Sequence, residues 1–273
     1  MDQTLENGLM MWGKIMKKTN ILKSAIVTTL LAVGYAGVPV QADHHAHAIM
    51  AARDNADRPA EDKALDAARK AAEVLIFAGI APGMTVLDTN SAGGYYTEML
   101  SRTVGETGRV YAHNGAIYWA FMKEKEPKRF ADGRLANVVQ IHEGKETVDL
   151  PEGSLDSAIA VLAYHDYYYT QDSRPGGGHE DVPAVLSSIY NALKPGGSFI
   201  IVDHIAPKGT GPDDFDKLHR IDPDYVQKQM ENAGFTLAAT SDILMNETDD
   251  PKRSPFAEDL RRKTSRFVYK FVK

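Results

Sequence analysis

Residues 84–100 have the sequence MTVLDTNSAGGYYTEML, which predicts a buried strand, a tight glycine-containing turn and the first turns of a helix. A parallel strand that leads into a helix in this way places backbone N–H groups at the helix N-terminus. Such groups bind polar or anionic ligands. The stretch therefore predicts both an α/β fold and a ligand site after the first strand.

Strands and helices alternate along the rest of the chain. The predicted strands are Thr85–Asp88, Arg109–His113, Val138–His142, Ser157–Ala163, Ser198–Asp203, Thr236–Ser241 and Arg266–Val272. The predicted helices are Pro59–Phe77, Tyr95–Thr103, Ala116–Lys125, Val182–Leu193 and Pro223–Ala233. This alternation indicates a doubly wound parallel sheet, and the loop-like, charged connection over 246–263 favours a final hairpin. We expect an α/β, Rossmann-like fold with a seven-stranded, mostly parallel sheet and an antiparallel last strand.

The first 42 residues have the layout of a secretory signal peptide. Lysines at 17 and 18 precede an uncharged apolar run over 24–38, and residues 40–42 supply the small side chains that signal peptidase recognises. The run is short for a membrane span. We expect cleavage after Ala42, with an uncleaved anchor as the alternative, and export to the bacterial periplasm.

The remaining chain divides into a polar, His-containing lead-in over 43–58 and one α/β domain over 59–273. Removal of residues 1–42 changes the net charge from -6 to -8, because that segment carries four lysines and two acidic residues. A mildly acidic protein has no electrostatic basis for binding nucleic acid. The absence of cysteine excludes disulfides and cysteine nucleophiles. We expect a small-molecule partner and no stable membrane span after signal cleavage. The sequence does not indicate an oligomeric state.

Five local motifs resemble those of class I S-adenosylmethionine-dependent methyltransferases. They are LKPGG at 193–197, GGYYT at 93–97, YHD at 164–166, VDH at 202–204 and LHRID at 218–222. Within that family the chain is most similar to a bacterial group of exported predicted methyltransferases. The resemblance covers most of the domain and implies that S-adenosylmethionine is the cofactor.

The family's loop after the first strand follows an acidic-x-Gly-x-Gly-x-Gly pattern. Asp88 and Gly94 match its ends, whereas Asn90 and Ala92 replace the middle glycines. Asn tolerates positive φ and Ala adds only a methyl group, so we expect the turn to persist. The cofactor-binding residues that the resemblance implies are Asp88, Asn90, Ala92, Gly93, Gly94, Tyr95, Asn114 and Glu143.

Asn114 stands where the family usually has an acid that binds both ribose hydroxyls. An amide oxygen accepts hydrogen bonds without the charge that strengthens a carboxylate's bonds. We therefore expect weak cofactor affinity, or a ligand other than the usual one. Glu143 and Glu146 are both candidates for the acid near the adenine amine, and an ordinary solvated charge is the alternative for each.

His165 and Asp166 follow the fourth strand, at the edge where open α/β sheets bind ligands. His165 is the candidate general base and Asp166 the residue that orients it, while the neighbouring tyrosines form a wall for the methyl acceptor. Asp166, Asp203, His204 and His219 could converge on the same edge, where Asp166 could also bind a metal. A divalent metal site and a satisfied hydrogen-bond network are both open for these groups, and the spacing favours the network.

Cleavage after Ala42 would expose Asp43-His44-His45 as a new N-terminus. An amine, two deprotonated amides and a histidine in third place can bind Cu(II) or Ni(II) in a square plane. A polar tail without a metal is the alternative.

Two functions follow from these patterns. The first is an S-adenosylmethionine-dependent methyltransferase that acts on an unknown small acceptor. The second is a non-catalytic exported binding protein that keeps the fold and binds another ligand, including a metal through its N-terminal histidines.

Overall fold

The computed structural model describes residues 39–123, 129–142, 144–170 and 178–273. The helices are α1 (Pro39–Asp54), α2 (Ala60–Lys63), α3 (Asp66–Arg69), α4 (Ala71–Ala78), α5 (Tyr95–Val104), α6 (Ala116–Met122), α7 (Val182–Ala192), α8 (Pro212–Leu218) and α9 (Pro223–Asn232). The strands are β1 (Thr85–Thr89), β2 (Arg109–His113), β3 (Val138–Ile141), β4 (Leu155–Val161), β5 (Leu193–His204), β6 (Thr236–Ser241) and β7 (Arg266–Val272). Short 3₁₀ turns cover Ala131–Gly133 and His165–Tyr168.

All seven strands form one sheet in the order β3-β2-β1-β4-β5-β7-β6. The pairs β1–β2, β2–β3, β1–β4 and β4–β5 are parallel, while β7 is antiparallel to both β5 and β6. The predicted fold class is confirmed, including the antiparallel last strand. The order reverses at β1, between β2 and β4, and such a reversal opens a crevice at the carboxyl ends of parallel strands.

Alternating side chains of the central strands supply two separate cores. Leu87, Ala158 and Phe199 belong to the core that also contains Val185 of α7 and Met230 of α9. Their neighbours Val86, Ile159 and Ile200 belong to the core that contains residues of α1, α4 and α5. Because successive strand residues point to opposite faces, this pattern places helices on both sides of a buried sheet.

The helix predicted over Pro59–Phe77 is wrong as a single element. It is divided into α2, α3 and α4, and Lys70 between the last two has a φ of 45°. A left-handed residue cannot continue a right-handed helix, so the chain turns here. The apolar spacing that predicted one helix is real, since Ala72 and Leu75 are buried, but it does not report the break at Lys70.

The lead-in predicted over 43–58 contains more regular structure than its polarity indicates. Most of it lies in α1, where Ile49 and Ala52 are buried in the core shared with α4 and α5. Helix α8 was also not predicted. Strand β5 begins at Leu193 rather than Ser198, because the Pro-Gly-Gly segment forms a bulge that shifts the β4–β5 register.

The signal peptide predicted over residues 1–42 lies outside the described residues up to position 38, and its last four residues begin α1. Within the described part of the chain, no helix combines the length and apolar character needed to cross a bilayer.

Candidate functional site

The loop after β1 keeps the turn that a glycine-rich sequence would form. Asn90 and Ala92 adopt left-handed conformations, with φ of 49° and 52°, and Gly94 has a φ of 79°. Asn90 reduces the cost by accepting a hydrogen bond from the Gly115 N–H through its Oδ1 at 3.1 Å. Ala92 has no side-chain hydrogen bond that could do so, and its left-handed backbone is therefore strained.

Asn114 holds this loop in place from the end of β2. The backbone N–H of Ala92 donates to Asn114 Oδ1 at 2.9 Å, and Asn114 Nδ2 donates to the Ala92 carbonyl at 3.2 Å. An amide can make this pair of bonds because it carries both a donor and an acceptor, which a carboxylate does not. Asn114 thus contacts the loop, and its contact with the cofactor ribose stays a prediction.

Asp88 at the end of β1 is buried and faces the N-terminus of α5. Its Oδ2 accepts a hydrogen bond from Thr97 Oγ1 at 2.6 Å. Burial raises the pKa of Asp88 to about 7, although the bonds from Thr97 act in the opposite direction. Asp88 is therefore a polar group with a proton equilibrium near neutral pH at the floor of the crevice.

Arg129 covers the outer side of the same loop. Its guanidinium forms a bidentate ion pair with Asp62 at 2.6 and 3.0 Å, contacts Glu98 at 3.1 Å, and donates to the Gly93 carbonyl. A Cβ atom on Gly94 would lie 2.6 Å from Arg129 Cδ, so a side chain at 94 would displace the arginine. Glycine at 94 is needed for both its positive φ and this close approach.

A cavity of about 300 Å³ opens between this loop and the N-terminal helices; we name it the cofactor-side cavity. It is lined by Asp62, Leu65, Arg69, Asp88, Asn90, Ser91, Ala92, Gly93, Tyr95, Tyr96, Tyr118, Arg129, Val161 and Leu162. Five of the predicted cofactor-binding residues are brought together here, namely Asp88, Asn90, Ala92, Gly93 and Tyr95. Gly94 caps α5 beside them. Glu143 lies outside the described residues.

On the other side of β2, the predicted alternative acid Glu146 is packed against Gly115. A Cβ on Gly115 would lie 1.9 Å from Glu146 Oε1, so only glycine leaves room for this carboxyl group. Glu146 is buried, and neither it nor Asn114 lines the cofactor-side cavity. The open space therefore lies on the β1 and β4 side of the loop.

His165 lies between two carboxyl groups at the end of β4. Its Nδ1 is 2.8 Å from Asp203 Oδ1, its Nε2 is 3.3 Å from Asp166 Oδ1, and its backbone N–H donates to Asp203 Oδ2 at 3.0 Å. Burial opposes charge on the ring, but Asp166 and Asp203 outweigh it and raise the pKa of His165 to about 9. Burial likewise opposes charge on Asp203, yet His165 holds the pKa of that carboxyl below its usual value.

A pKa raised in this direction favours a protonated ring that donates to both carboxylates, and the role of His165 as general base stays a prediction. The protonated ring joins Asp203, which is fully buried, to Asp166, which faces open space. Asp166 Oδ2 also accepts a hydrogen bond from the Tyr118 hydroxyl at 2.5 Å. His165 and Asp166 are close together as predicted, and the Asp166 carboxylate is the more exposed member of the pair.

A second cavity, of about 610 Å³, lies against this pair; we name it the acceptor-side cavity. Its lining residues are Ile117, Tyr118, Met122, Leu162, His165, Asp166, Tyr169, His204, His219 and Phe256. Most of these side chains are aromatic or aliphatic. Tyr118 and Leu162 line both cavities, so the two spaces adjoin at these residues.

His204 and His219 converge on the acceptor-side cavity, as the sequence predicted. Their ring centroids lie 6.1 and 5.9 Å from that of His165. Burial lowers the pKa of His204 to about 3, and its Nδ1 is 2.8 Å from Thr264 Oγ1. Burial also lowers the pKa of His219. His204 is therefore neutral at neutral pH, and the histidine rings lie tilted or edge-on to one another beside the His204–Thr264 hydrogen bond.

The metal-binding predictions are not supported. Among the described residues, no group of three or more His, Asp or Glu side chains is arranged to hold a metal ion. Residues 43–45 lie inside α1, where backbone N–H groups bond to carbonyls four residues earlier. The square-planar site predicted at Asp43, His44 and His45 requires deprotonated backbone amides and a free amine at residue 43. A helical backbone with hydrogen-bonded N–H groups does not meet this requirement.

Tyr118, Asp62 and Arg129 are site residues that the sequence did not indicate. Each lines the cofactor-side cavity from a part of the chain outside the loop after β1. Tyr118 lies on a helix whose apolar sequence, AIYWAFM, resembles any core segment. No local motif marked these residues.

Comparisons with known proteins agree with this architecture. No protein-family model matches the chain. A ubiquinone/menaquinone biosynthesis C-methyltransferase of Shewanella piezotolerans is 26% identical over 185 residues, which are 68% of this chain and 66% of that protein. A protein of the same description from Escherichia coli is 27% identical over 129 residues, or 47% of this chain and 46% of that protein. The chain thus spans about half to two thirds of the length of these curated relatives.

A solved structure of a similar fold is that of an S-adenosylmethionine-dependent methyltransferase from Aquifex aeolicus. It matches with a TM-score of 0.53 and 21% identity, covering 79% of this chain and 99% of that one. The chain has the fold of the class I S-adenosylmethionine-dependent methyltransferases. Its crevice lies at the carboxyl ends of β1, β4 and β5, where the two cavities adjoin.

Proposed function

We propose that the protein is an S-adenosylmethionine-dependent methyltransferase that acts on a small acceptor. The observation that carries the proposal is that the loop-bounded cavity and the cavity beside His165 and Asp166 adjoin at Tyr118 and Leu162. A methyl donor on one side and an acceptor on the other would then meet in one crevice. The relatives described as C-methyltransferases support the same activity.

The residues of the cofactor-side cavity suit the chemistry of this cofactor. Asp88 and Asn90 supply acceptors for its ammonium and hydroxyl groups. Tyr118 presents an aromatic ring where the cavities adjoin, and such rings attract cations. When bound, S-adenosylmethionine supplies an electrophilic methyl group on a positively charged sulfur.

The chain's own contribution to the transfer is to position the acceptor and to receive its proton. Asp88 and Asn90 would hold the cofactor, which would supply the methyl group to the acceptor's lone pair. The acceptor's proton would pass to Asp166, which His165 and Tyr118 hold in position. The aliphatic and aromatic walls of the acceptor-side cavity favour an acceptor with an apolar body and exclude water.

Calorimetry with S-adenosylhomocysteine, the demethylated product, tests cofactor binding directly. We expect measurable binding to the full-length protein and about tenfold weaker binding to Asp88→Asn, because the ammonium would lose a charged partner. Asp214→Asn is the matched control, since Asp214 is exposed on α8 and pairs with Lys217. The absence of heat at millimolar ligand would refute the cofactor assignment.

Loss of the proton acceptor should separate catalysis from cofactor binding. Asp166→Asn should lower the turnover number about 10²- to 10⁴-fold in an assay of labelled-methyl transfer to a panel of small apolar nucleophiles. Its affinity for S-adenosylhomocysteine should match that of the unaltered protein, because Asp166 does not line the cofactor-side cavity. Equal turnover in both proteins would assign the proton to another group.

Export of the protein to the periplasm is part of the same proposal. It rests on the basic segment, the apolar run and the small residues that precede position 43. Fractionation of the producing bacterium followed by mass spectrometry should find a protein that begins at Asp43 in the periplasmic fraction. An intact N-terminus in the cytosolic fraction would contradict export.

A further inference from the structure

A third cavity, of about 220 Å³, lies between α3, the start of β7 and the segment 255–262. Four arginines line it, and we name it the arginine pocket. They are Arg69, Arg261, Arg262 and Arg266. No aspartate or glutamate is among the described residues that line it. A concave surface that concentrates guanidinium groups in this way attracts anions.

Arg266 is the deepest of these side chains, with only 7% of its surface exposed. Its Nε donates to the Thr264 carbonyl at 3.3 Å and its Nη2 to the Ala68 carbonyl at 2.9 Å. Within the described parts of the chain, no carboxylate forms an ion pair with Arg266 and its Nη1 makes no hydrogen bond. Burial lowers its pKa, and the nearby positive charge of Arg69 adds to that effect.

The other buried arginines in the described part of the chain each pair with a carboxylate. Arg58 pairs with Asp66 at 2.7 Å, and Arg220 pairs with Asp249 at 2.8 Å. A buried cation that lacks a carboxylate carries a desolvation cost that an ion pair would offset. An anion from outside the chain would supply the missing partner of Arg266.

Arg69 provides the second guanidinium. It lies over the Tyr95 ring with its Cζ 4.6 Å from the ring centroid, and it forms no ion pair with any described residue. Arg261 and Arg262 are exposed, so they stand at the mouth of the pocket. The four cations therefore form a graded site, with one buried, one half-buried and two at the rim.

The arginine pocket adjoins both of the other cavities. It shares Leu65 and Arg69 with the cofactor-side cavity, and His204 and Phe256 with the acceptor-side cavity. Leu162 lines all three. An anionic group held by Arg266 would thus belong to a molecule whose remaining part extends into the crevice.

We propose that the arginine pocket binds an oxyanion, a carboxylate or a phosphate, carried by the methyl acceptor. Planar guanidinium groups match the paired oxygens of these anions, and each charge-assisted pair adds both affinity and orientation. The acceptor would then have an anionic group at one end and an apolar body in the cavity beside Asp166. Assignment of the anion to the acceptor rests on the proposed methyltransferase function, whereas the anion site itself does not.

Titration with inorganic phosphate tests the site without knowledge of the acceptor. Binding to the full-length protein is measured by calorimetry and by thermal unfolding, with sodium chloride used to hold the ionic strength constant. We expect saturable phosphate binding that weakens about tenfold in Arg69→Gln and by a similar factor in the double variant Arg261→Gln/Arg262→Gln. The rim arginines are exposed, so the double variant should keep the fold.

Arg253→Gln is the matched control, because this exposed arginine lies in the neighbouring segment and pairs with Asp259 outside the pocket. It should bind phosphate as the unaltered protein does. Arg266→Gln should abolish the phosphate effect, which is measured as the difference between its unfolding temperatures in phosphate and in chloride, because the variant also loses the hydrogen bonds to the Thr264 and Ala68 carbonyls. Phosphate stabilisation no greater than that of chloride, or equal binding by the arginine variants, would overturn the proposal.

A second titration separates the two sources of a carboxylate. Phosphate affinity is measured again with S-adenosylhomocysteine at saturation. Unchanged affinity would support the acceptor as the source of the anion. Mutual exclusion would assign the pocket to the cofactor's own carboxylate and overturn the acceptor assignment. If S-adenosylhomocysteine does not bind while arginine-dependent phosphate binding remains, the methyltransferase proposal fails and the anion site stands.

Discussion

At the scale of single residues, the loop after β1 shows how far side-chain identity determines a site. The sequence predicted that Asn90 and Ala92 would keep the turn, and both have positive φ. It did not predict that Asn114 would bond to the Ala92 backbone, because the two residues meet only when β2 lies beside β1. Local conformation followed from residue type, whereas the hydrogen-bond partner depended on the sheet.

Because Ala92 is strained and Ala51 is helical, substitution by glycine should change the free energy of unfolding in opposite directions at these two positions. Ala92→Gly should raise the free energy of unfolding by about 0.5–1 kcal/mol, because glycine adopts the left-handed region without a steric cost. Ala51→Gly, at an exposed position inside α1, should lower it by about 1 kcal/mol. Urea unfolding of the two variants beside the unaltered protein measures both changes. Destabilisation by both substitutions to the same extent would contradict the left-handed conformation at 92.

At the scale of elements, the strands were predicted more accurately than the N-terminal helices. β2, β6 and β7 have the predicted bounds, although β6 is an edge strand in which exposed and half-buried residues alternate. The helices before β1 were not predicted correctly, since the break at Lys70 has no proline or glycine to mark it. The polar sequence of α1 also hid the few apolar residues by which it packs.

Helix α1 should contribute to stability through its single buried isoleucine. Ile49 is fully buried, so Ile49→Ala should lower the free energy of unfolding by about 2–5 kcal/mol. The neighbouring Met50 is 36% exposed, and Met50→Ala should change it by less than about 0.5 kcal/mol. Urea unfolding of the two variants is the measurement. Equal stability of both would mean that α1 does not pack on the domain in solution.

At the scale of the whole molecule, the carboxyl edge of the sheet concentrates buried ionisable groups with opposing effects on stability. His165 has a pKa raised to about 9, whereas His204 has one lowered to about 3. The unfolded value for both is about 6.5. Protonation of His165 therefore favours the folded state, and protonation of His204 opposes it. Buried groups with strongly shifted pKa values are common in ligand-binding sites, which agrees with the position of both rings beside the acceptor-side cavity.

The pH dependence of stability should show the His165 contribution as an alkaline limb. A folded pKa of about 9 means that this contribution is fully present below pH ~6.5 and is lost as the pH rises through about 9. The buried carboxyl of Asp88 has a folded pKa of about 7, so it lowers the free energy of unfolding as the pH rises from ~3.9 to about 7. This change is therefore almost complete before the alkaline limb begins. We expect the free energy of unfolding to fall by a few kcal/mol, in order of magnitude, between pH 7 and pH 9.5.

Any substitution of His165 removes the partner of Asp203 and so lowers stability at every pH. The alkaline limb is therefore assigned to His165 by comparing how steeply the free energy of unfolding falls with pH, rather than by comparing its absolute values. His165→Asn should be less stable than the unaltered protein at pH 7 and should lose little more between pH 7 and pH 9.5. His44→Asn, at an exposed position on α1, should keep the full slope. Urea midpoints collected at half-unit pH steps measure the slopes. A His165→Asn profile parallel to that of the unaltered protein would place the alkaline transition elsewhere and remove the evidence that two carboxylates hold a proton on this ring.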